Sequence, residues 1–167
     1  MLGGVVLLSA VLALLLFGAY VGWQRQDELR DARRRFRNER KHWHISAGRV
    51  ADWLADNLPP GTIALGDIGY VGWRTNYPIF DLLGLVEPVI HKLPGGYTKK
   101  IGPGYVERFY EVMPDYPVLI MTNDNCDRPA LKGVRVITDD PRFEASYRPR
   151  HAVVMSSEAS WCIFVRR

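Results

Sequence analysis

The side chains best suited to chemistry in this sequence are two aspartates fourteen residues apart, Asp67 and Asp81. They stand in the stretch GDIGYVGWRTNYPIFDLLGL, residues 66–85. Paired carboxylates roughly 5–10 Å apart serve as acid and base in enzymes that cleave glycosidic bonds. The sequence does not set the separation of this pair, so three roles stay open for Asp81: it caps a turn or pairs with Arg74, it binds a ligand, or it takes part in catalysis.

Glycines at positions 66, 69 and 72 surround Asp67. Their spacing matches neither the dinucleotide-binding pattern G-x-G-x-x-G nor the phosphate loop G-x-x-x-x-G-K-S/T. We expect a strand that ends at Gly66 and places Asp67 at its carboxyl end, where sheets commonly hold ligand contacts. The glycines then either form a structural turn or let a ligand approach the backbone. The candidate ligand-binding residues are Asp67, Gly69, Tyr70, Trp73, Arg74 and Asp81.

Weaker candidates lie elsewhere. Lys99 and Lys100 stand in a glycine-rich loop and could hold a phosphate or lipid headgroup as point charges, although a solvated loop is the simpler interpretation. His42, His44 and His91 have no acidic cluster beside them, so we expect no metal. The serines at 156, 157 and 160 lack the nucleophile turn of a hydrolase. We therefore expect no cofactor, no catalytic residue and no independent enzymatic activity.

The chain contains two cysteines, Cys126 and Cys162, without zinc-type spacing. They either pair as a disulfide, if the domain faces an oxidising compartment, or remain free thiols. Cys162 lies in WCIFV, which has the composition of a buried strand, and this favours the free thiol.

Hydrophobic periodicity indicates a small α/β domain with a mixed sheet over residues 45–167. Ser46 is placed to cap a helix that Pro59-Pro60-Gly61 terminates. The predicted elements in chain order are a helix at 46–57, strands at 62–67 and 78–84, a loop at 91–104, a helix at 105–116, strands at 116–122 and 133–139, and a closing hairpin of 151–157 with 161–167.

The amino-terminal part differs from this domain. Residues 2–23 carry no charge and, as a helix, would span roughly 30 Å, which predicts a single transmembrane helix over 1–23 rather than a cleaved signal peptide or a buried helix. Residues 24–44 then form a basic juxtamembrane helix or linker. Its stretch 24–41 has a net charge of +4, equal to that of the whole chain, so 42–167 is neutral and no nucleic-acid surface is expected. Arg33 and Arg34 are candidates for contact with membrane lipid phosphates.

The order of these features resembles the carboxyl-terminal end of bacterial polytopic glycosyltransferases that use lipid-phosphosugar donors, the class of the arabinofuranosyl and mannosyl transferases. VADWLADNLPPGTIALGDIGYVGWRTNYPIFDLLGLVEPVI, GYVERFYEVMPDYPVLIM and the closing WCIFVRR carry the resemblance. The catalytic acid of that family lies between its first membrane helices, so the resemblance implies no catalytic residue here. The positions that correspond to the family's Asp-x-Gly-x-x-x-Tyr-like turn and its Asp-Leu-x-Gly-Leu element are Asp67, Gly69, Tyr70, Asp81, Leu82, Gly84 and Leu85, with Tyr70 earlier than the strict spacing of the turn.

The resemblance implies a membrane-anchored, extracytoplasmic domain that helps a glycosyltransferase bind a glycan or lipid-linked sugar without catalysing alone. Its implied partners are membrane lipid, a polytopic membrane protein and the glycan itself. The alternative is a single-pass structural or interaction protein whose α/β domain contacts other membrane-complex subunits. The arginine-rich flank favours a cytoplasmic domain, because basic segments stay inside, whereas the resemblance favours the periplasmic side.

Overall fold

The computed structural model describes residues 2–96, 100, 102–156 and 159–167. The chain divides into two compact units, Met1–Lys41 and His42–Arg167. The elements in chain order are α1 (Leu2–Asn57), β1 (Ile63–Leu65), α2 (Ile68–Thr75), β2 (Ile79–Asp81), α3 (Pro88–His91), α4 (Pro103–Val112), β3 (Tyr116–Met121), α5 (Lys132–Thr138), α6 (Pro141–Ser146), β4 (Tyr147–Ser156) and β5 (Ala159–Arg166).

The first unit lies within α1, and large apolar side chains such as Leu12, Phe17 and Trp23 are exposed there. The prediction of a transmembrane helix at residues 1–23 is wrong, because no helix among the described residues is both long enough and apolar enough to cross a bilayer. The predicted single-pass membrane location and the membrane helix in the predicted fold class are overturned with it.

The carboxyl-terminal turns of α1 belong to the second unit. The predicted burial of Val50 and Leu54 at helical spacing is confirmed, and the helix ends at Asn57 as expected. The predicted start at Ser46 is wrong, since α1 is already helical there and Ser46 is buried within it.

Five strands form one mixed sheet in the order β2-β1-β3-β5-β4, which confirms the predicted small α/β domain. β1 pairs in parallel with β2 and with β3. β5 pairs antiparallel with β3 on one side and with β4 on the other, so the predicted closing hairpin is present. The carboxyl ends of the three parallel strands therefore lie at one edge of the sheet.

Helices cover both faces of the sheet. One core packs Val50 and Leu54 of α1 and Val71 of α2 against alternate strand residues such as Ile63 and Val118. The other packs helices α3 to α6 against the intervening residues, and its aromatic members include Phe80, Tyr105, Phe109, Phe143, Tyr147 and Phe164. This alternation along each strand is the period-two pattern of a sheet buried on both faces.

Two segments differ from the prediction. Residues 133–139, expected as a strand, lie mostly in helix α5, because Val134 and Ile137, three residues apart, both face the core. The glycine-rich turn expected after β1 is helix α2, which buries Val71 and Thr75, four residues apart. In both segments burial at helical spacing outweighs local composition. The β-branched residues of the first segment favour a strand, and the glycines of the second favour a turn.

Cys126 and Cys162 form a disulfide, so the favoured free thiol is wrong. Cys162 is fully buried in β5, while Cys126 has a φ of +62° in the loop that follows β3. The bond fastens this loop to β5.

Candidate ligand-binding cavity

The parallel strands create a crevice where β1 ends. The chain leaves β1 through α2 to reach β2 on one side, whereas β3 lies on the other side of β1. Ligands of open α/β sheets bind in such crevices, outside the carboxyl ends of the strands. A cavity of about 190 Å³ lies here, lined by Gly66, Asp67, Leu82, Leu83, Lys100, Tyr105, Val118, Leu119, Ile120, Leu131, Gly133, Val134 and Trp161.

Asp67 is the one carboxylate among the described residues that line the cavity. It precedes α2, yet its side chain does not cap the helix. Among the described residues its oxygens have neither a hydrogen-bond donor nor an ion-pair partner. Burial raises the pKa of this carboxyl above its ordinary value. The cavity wall therefore holds a half-buried hydrogen-bond acceptor to which no described group of the protein donates.

The other polar side chains of the lining, with one exception, donate hydrogen bonds to backbone carbonyls. The Lys100 Nζ is buried and donates to the carbonyls of His91 at 3.2 Å and Leu93 at 3.1 Å. The Tyr105 hydroxyl donates to the Leu82 carbonyl at 3.1 Å; burial, and then the charge of Asp81, raises the pKa of Tyr105. The exception is the buried Nε1–H of Trp161, which has no acceptor among the described residues.

Asp81 does not line the cavity. It is fully buried, and its two oxygens accept backbone N–H bonds from Leu83 and Val86, both at 2.8 Å. Of its two predicted structural roles, it therefore fills the capping of a turn rather than the pairing with Arg74. A ligand role for Asp81 stays a prediction, and both of its oxygens already have donors.

The candidates on α2 lie away from the cavity lining. The rings of Tyr70 and Trp73 have centroids 5.8 Å apart, and Trp73 is largely exposed. Arg74 pairs with Asp52 of α1 at 3.0 Å. A side chain added at Gly69 would meet nothing within 4 Å. The structure thus brings Asp67 and Lys100 to one cavity and places the α2 residues on a separate surface.

The remaining predicted contacts divide by position. Arg33 and Arg34 are exposed on α1 in the first unit, and Lys99 lies outside the described residues. Within the described ranges no three or more histidine, cysteine, aspartate or glutamate side chains are grouped to hold a metal. The lipid contacts of these basic residues stay predictions.

Sequence reasoning missed four residues that line the cavity, Leu131, Gly133, Val134 and Trp161. Gly133 and Val134 were missed because their segment was predicted to be a strand, although the spacing of Val134 and Ile137 is helical, and Leu131 was missed because it stands in the polar connection before that segment. Trp161 was missed because a tryptophan in a hydrophobic strand is usually core, and its ring does belong to the core.

The fold and this cavity define a mixed α/β domain with a ligand-sized crevice at the carboxyl ends of its parallel strands. The chain belongs to the DUF8728 family, described as a domain of unknown function, whose model matches residues 29–164. No curated protein and no solved structure matches the chain.

Proposed function

We propose that residues 42–167 form a sugar-binding domain that acts with a glycosyltransferase and does not catalyse by itself. The observation that carries the proposal is the Asp67 carboxylate, half-buried on the cavity wall without a partner among the described residues. Sugar hydroxyls donate readily to a carboxylate, and such charge-assisted bonds are stronger than neutral ones. The resemblance to the carboxyl-terminal region of polytopic glycosyltransferases supports the choice of ligand.

The size and lining of the cavity limit what enters. An engineered cavity of ~150 Å³ accommodates a benzene ring, so a cavity of about 190 Å³ holds one ring rather than an oligosaccharide. Leu82, Leu119 and Val134, which belong to the same core and line the cavity, offer an aliphatic surface to the apolar face of that ring. Pockets with mostly apolar walls and a few placed polar groups are the common form of small-molecule sites.

The absence of a second carboxylate supports a binding role. Hydrolysis of a glycosidic bond canonically uses two carboxyl groups, whereas Asp67 is alone among the described lining residues. Asp81, its predicted partner, holds a backbone turn with both oxygens. The proposal therefore assigns the transfer chemistry to the partner enzyme.

The test is a titration of the full chain with D-mannose and D-arabinose, monitored by amide NMR shifts. We expect shifts at Asp67, Lys100 and Trp161, and at least about tenfold weaker binding in Asp67→Asn, which keeps the size but removes the charge. Asp139→Asn, at an exposed carboxylate that directly follows α5, is the matched control and should bind as the wild type. Equal affinity in Asp67→Asn, or no shift around the cavity, would overturn the proposal and favour the alternative of an interaction domain.

A further inference from the structure

A second concave site lies at the opposite end of the sheet. Around the start of β3 and the end of β5 is a groove of about 480 Å³. It shares no lining residue with the cavity that contains Asp67. Its described lining comprises Leu58, Asp115, Tyr116, Arg148, Arg150, Val165, Arg166 and Arg167.

The charges in this groove are unbalanced. Four guanidinium groups and one side-chain carboxylate, that of Asp115, belong to the described lining residues. Asp115 is already committed, since its Oδ1 lies 2.8 Å from the Arg166 guanidinium and its Oδ2 accepts the Thr62 N–H at 2.9 Å. Converging like charges repel one another, and an anion in the groove would relieve that repulsion.

Two of the arginines are fixed by the backbone. Arg166 donates to the Met113 carbonyl at 3.2 Å as well as pairing with Asp115. Arg167 donates through Nε to the carbonyls of Glu144 and Tyr147. Each guanidinium has further N–H donors on a planar fork, so these two side chains are positioned before any ligand arrives.

The other two arginines are available. Arg148 and Arg150, both on β4, are exposed, and their side chains have no partner among the described residues. Guanidinium forks match the geometry of phosphate oxygens and bind them bidentately. A ligand with two phosphate groups can engage a fixed and an available arginine at the same time.

We propose that this groove binds a diphosphate group, with Arg148 and Arg150 closing on an anion that Arg166 and Arg167 orient. The competing explanation is edge protection. β4 pairs with β5 on one side only, and charged residues and proline on an edge strand prevent pairing with other chains. Pro149 lies between the two arginines, so the experiment must separate the two roles.

The experiment is calorimetric titration of the full chain with inorganic pyrophosphate at low salt. We expect saturable binding that weakens at least about tenfold in the double variant Arg148→Gln/Arg150→Gln, and that weakens as salt is raised. Arg135→Gln, at an exposed arginine on α5, is the matched control and should bind within about twofold of wild type. Since Arg148 and Arg150 are exposed, thermal melting should show the double variant folded.

Three results would overturn the proposal. The wild type fails to bind pyrophosphate at millimolar concentration; Arg135→Gln weakens binding as much as the double variant, which indicates diffuse charge; or the double variant binds normally but self-associates on gel filtration, which assigns the arginines to edge protection. None of these results bears on sugar binding at Asp67, because the two sites share no lining residue.

Discussion

The carboxylate of Asp81 holds the backbone of Val86 five residues ahead of it, through a 2.8 Å hydrogen bond from the Val86 N–H to Oδ2. Its other oxygen accepts from Leu83, so a fully buried charge is balanced by two backbone donors. We expect Asp81→Ala to lower the free energy of unfolding by about 2–4 kcal/mol, because both donors lose a charged acceptor. Urea denaturation measures it, with Asp139→Ala as the exposed control; a loss below about 0.5 kcal/mol would contradict the structural role.

Asp67 should make stability depend on pH in the opposite sense to a salt-bridged aspartate. Its raised pKa means that ionisation costs more in the folded than in the unfolded chain. The stability it contributes is full below its ordinary pKa and is lost as the pH rises through the raised value. Asp67→Asn should therefore match the wild type at pH values well below the ordinary aspartate pKa of about 3.9 and be more stable than the wild type at pH 7. Urea curves from pH 3 to 8 test this, and a variant less stable at pH 7 would disprove it.

Replacing two glycines of the stretch 66–85 by alanine should change the stability in opposite directions. Gly84 has a φ of +77°, and a Cβ there would lie 2.7 Å from the His91 backbone nitrogen, so Gly84→Ala should cost more than about 2 kcal/mol. Gly69 is in helix α2 with nothing within 4 Å of an added Cβ, so Gly69→Ala should stabilise by about 0.5 kcal/mol. Thermal melts of the pair test the contrast. Equal melting temperatures would show that the turn at Gly84 relaxes freely.

The disulfide should contribute a large part of the free energy of unfolding. Cys126 and Cys162 are 36 residues apart, and a loop of that size corresponds to roughly 3–4 kcal/mol of unfolding free energy. We expect a reductant to lower the urea midpoint of the wild type accordingly. The Cys126→Ala/Cys162→Ala variant is the control, because its midpoint should not respond to the reductant. If the urea midpoint of the wild type also does not change with reductant, the disulfide contributes little to the free energy of unfolding.

The sequence predicted the sheet better than it predicted the helices that surround the cavity. Strands around Ile63, Phe80 and Val118 followed from buried apolar runs, and the hairpin of β4 and β5 followed from alternation. Helix α5 was missed because Val134, Val136 and Ile137 are β-branched and suit a strand, while their burial on a helical face depends on packing that the sequence alone does not reveal.

The candidate site was half predicted. Asp67 and Lys100 were singled out from residue type and position, and both line the cavity. Asp81 was singled out for the same reason, but its role is set by the backbone N–H groups of Leu83 and Val86 that donate to it, and the sequence alone does not reveal these bonds. The disulfide likewise depends on a loop conformation at Cys126 that spacing does not set.

Strand β3 joins the two candidate sites. Its first residue, Tyr116, lines the arginine groove, and Val118, Leu119 and Ile120 line the cavity. If both sites bind their proposed ligands and a ligand at one end of β3 restrains the strand, the free energy of occupying the other end changes. Thermodynamic reciprocity then requires pyrophosphate to change the affinity for sugar by the same factor that sugar changes the affinity for pyrophosphate.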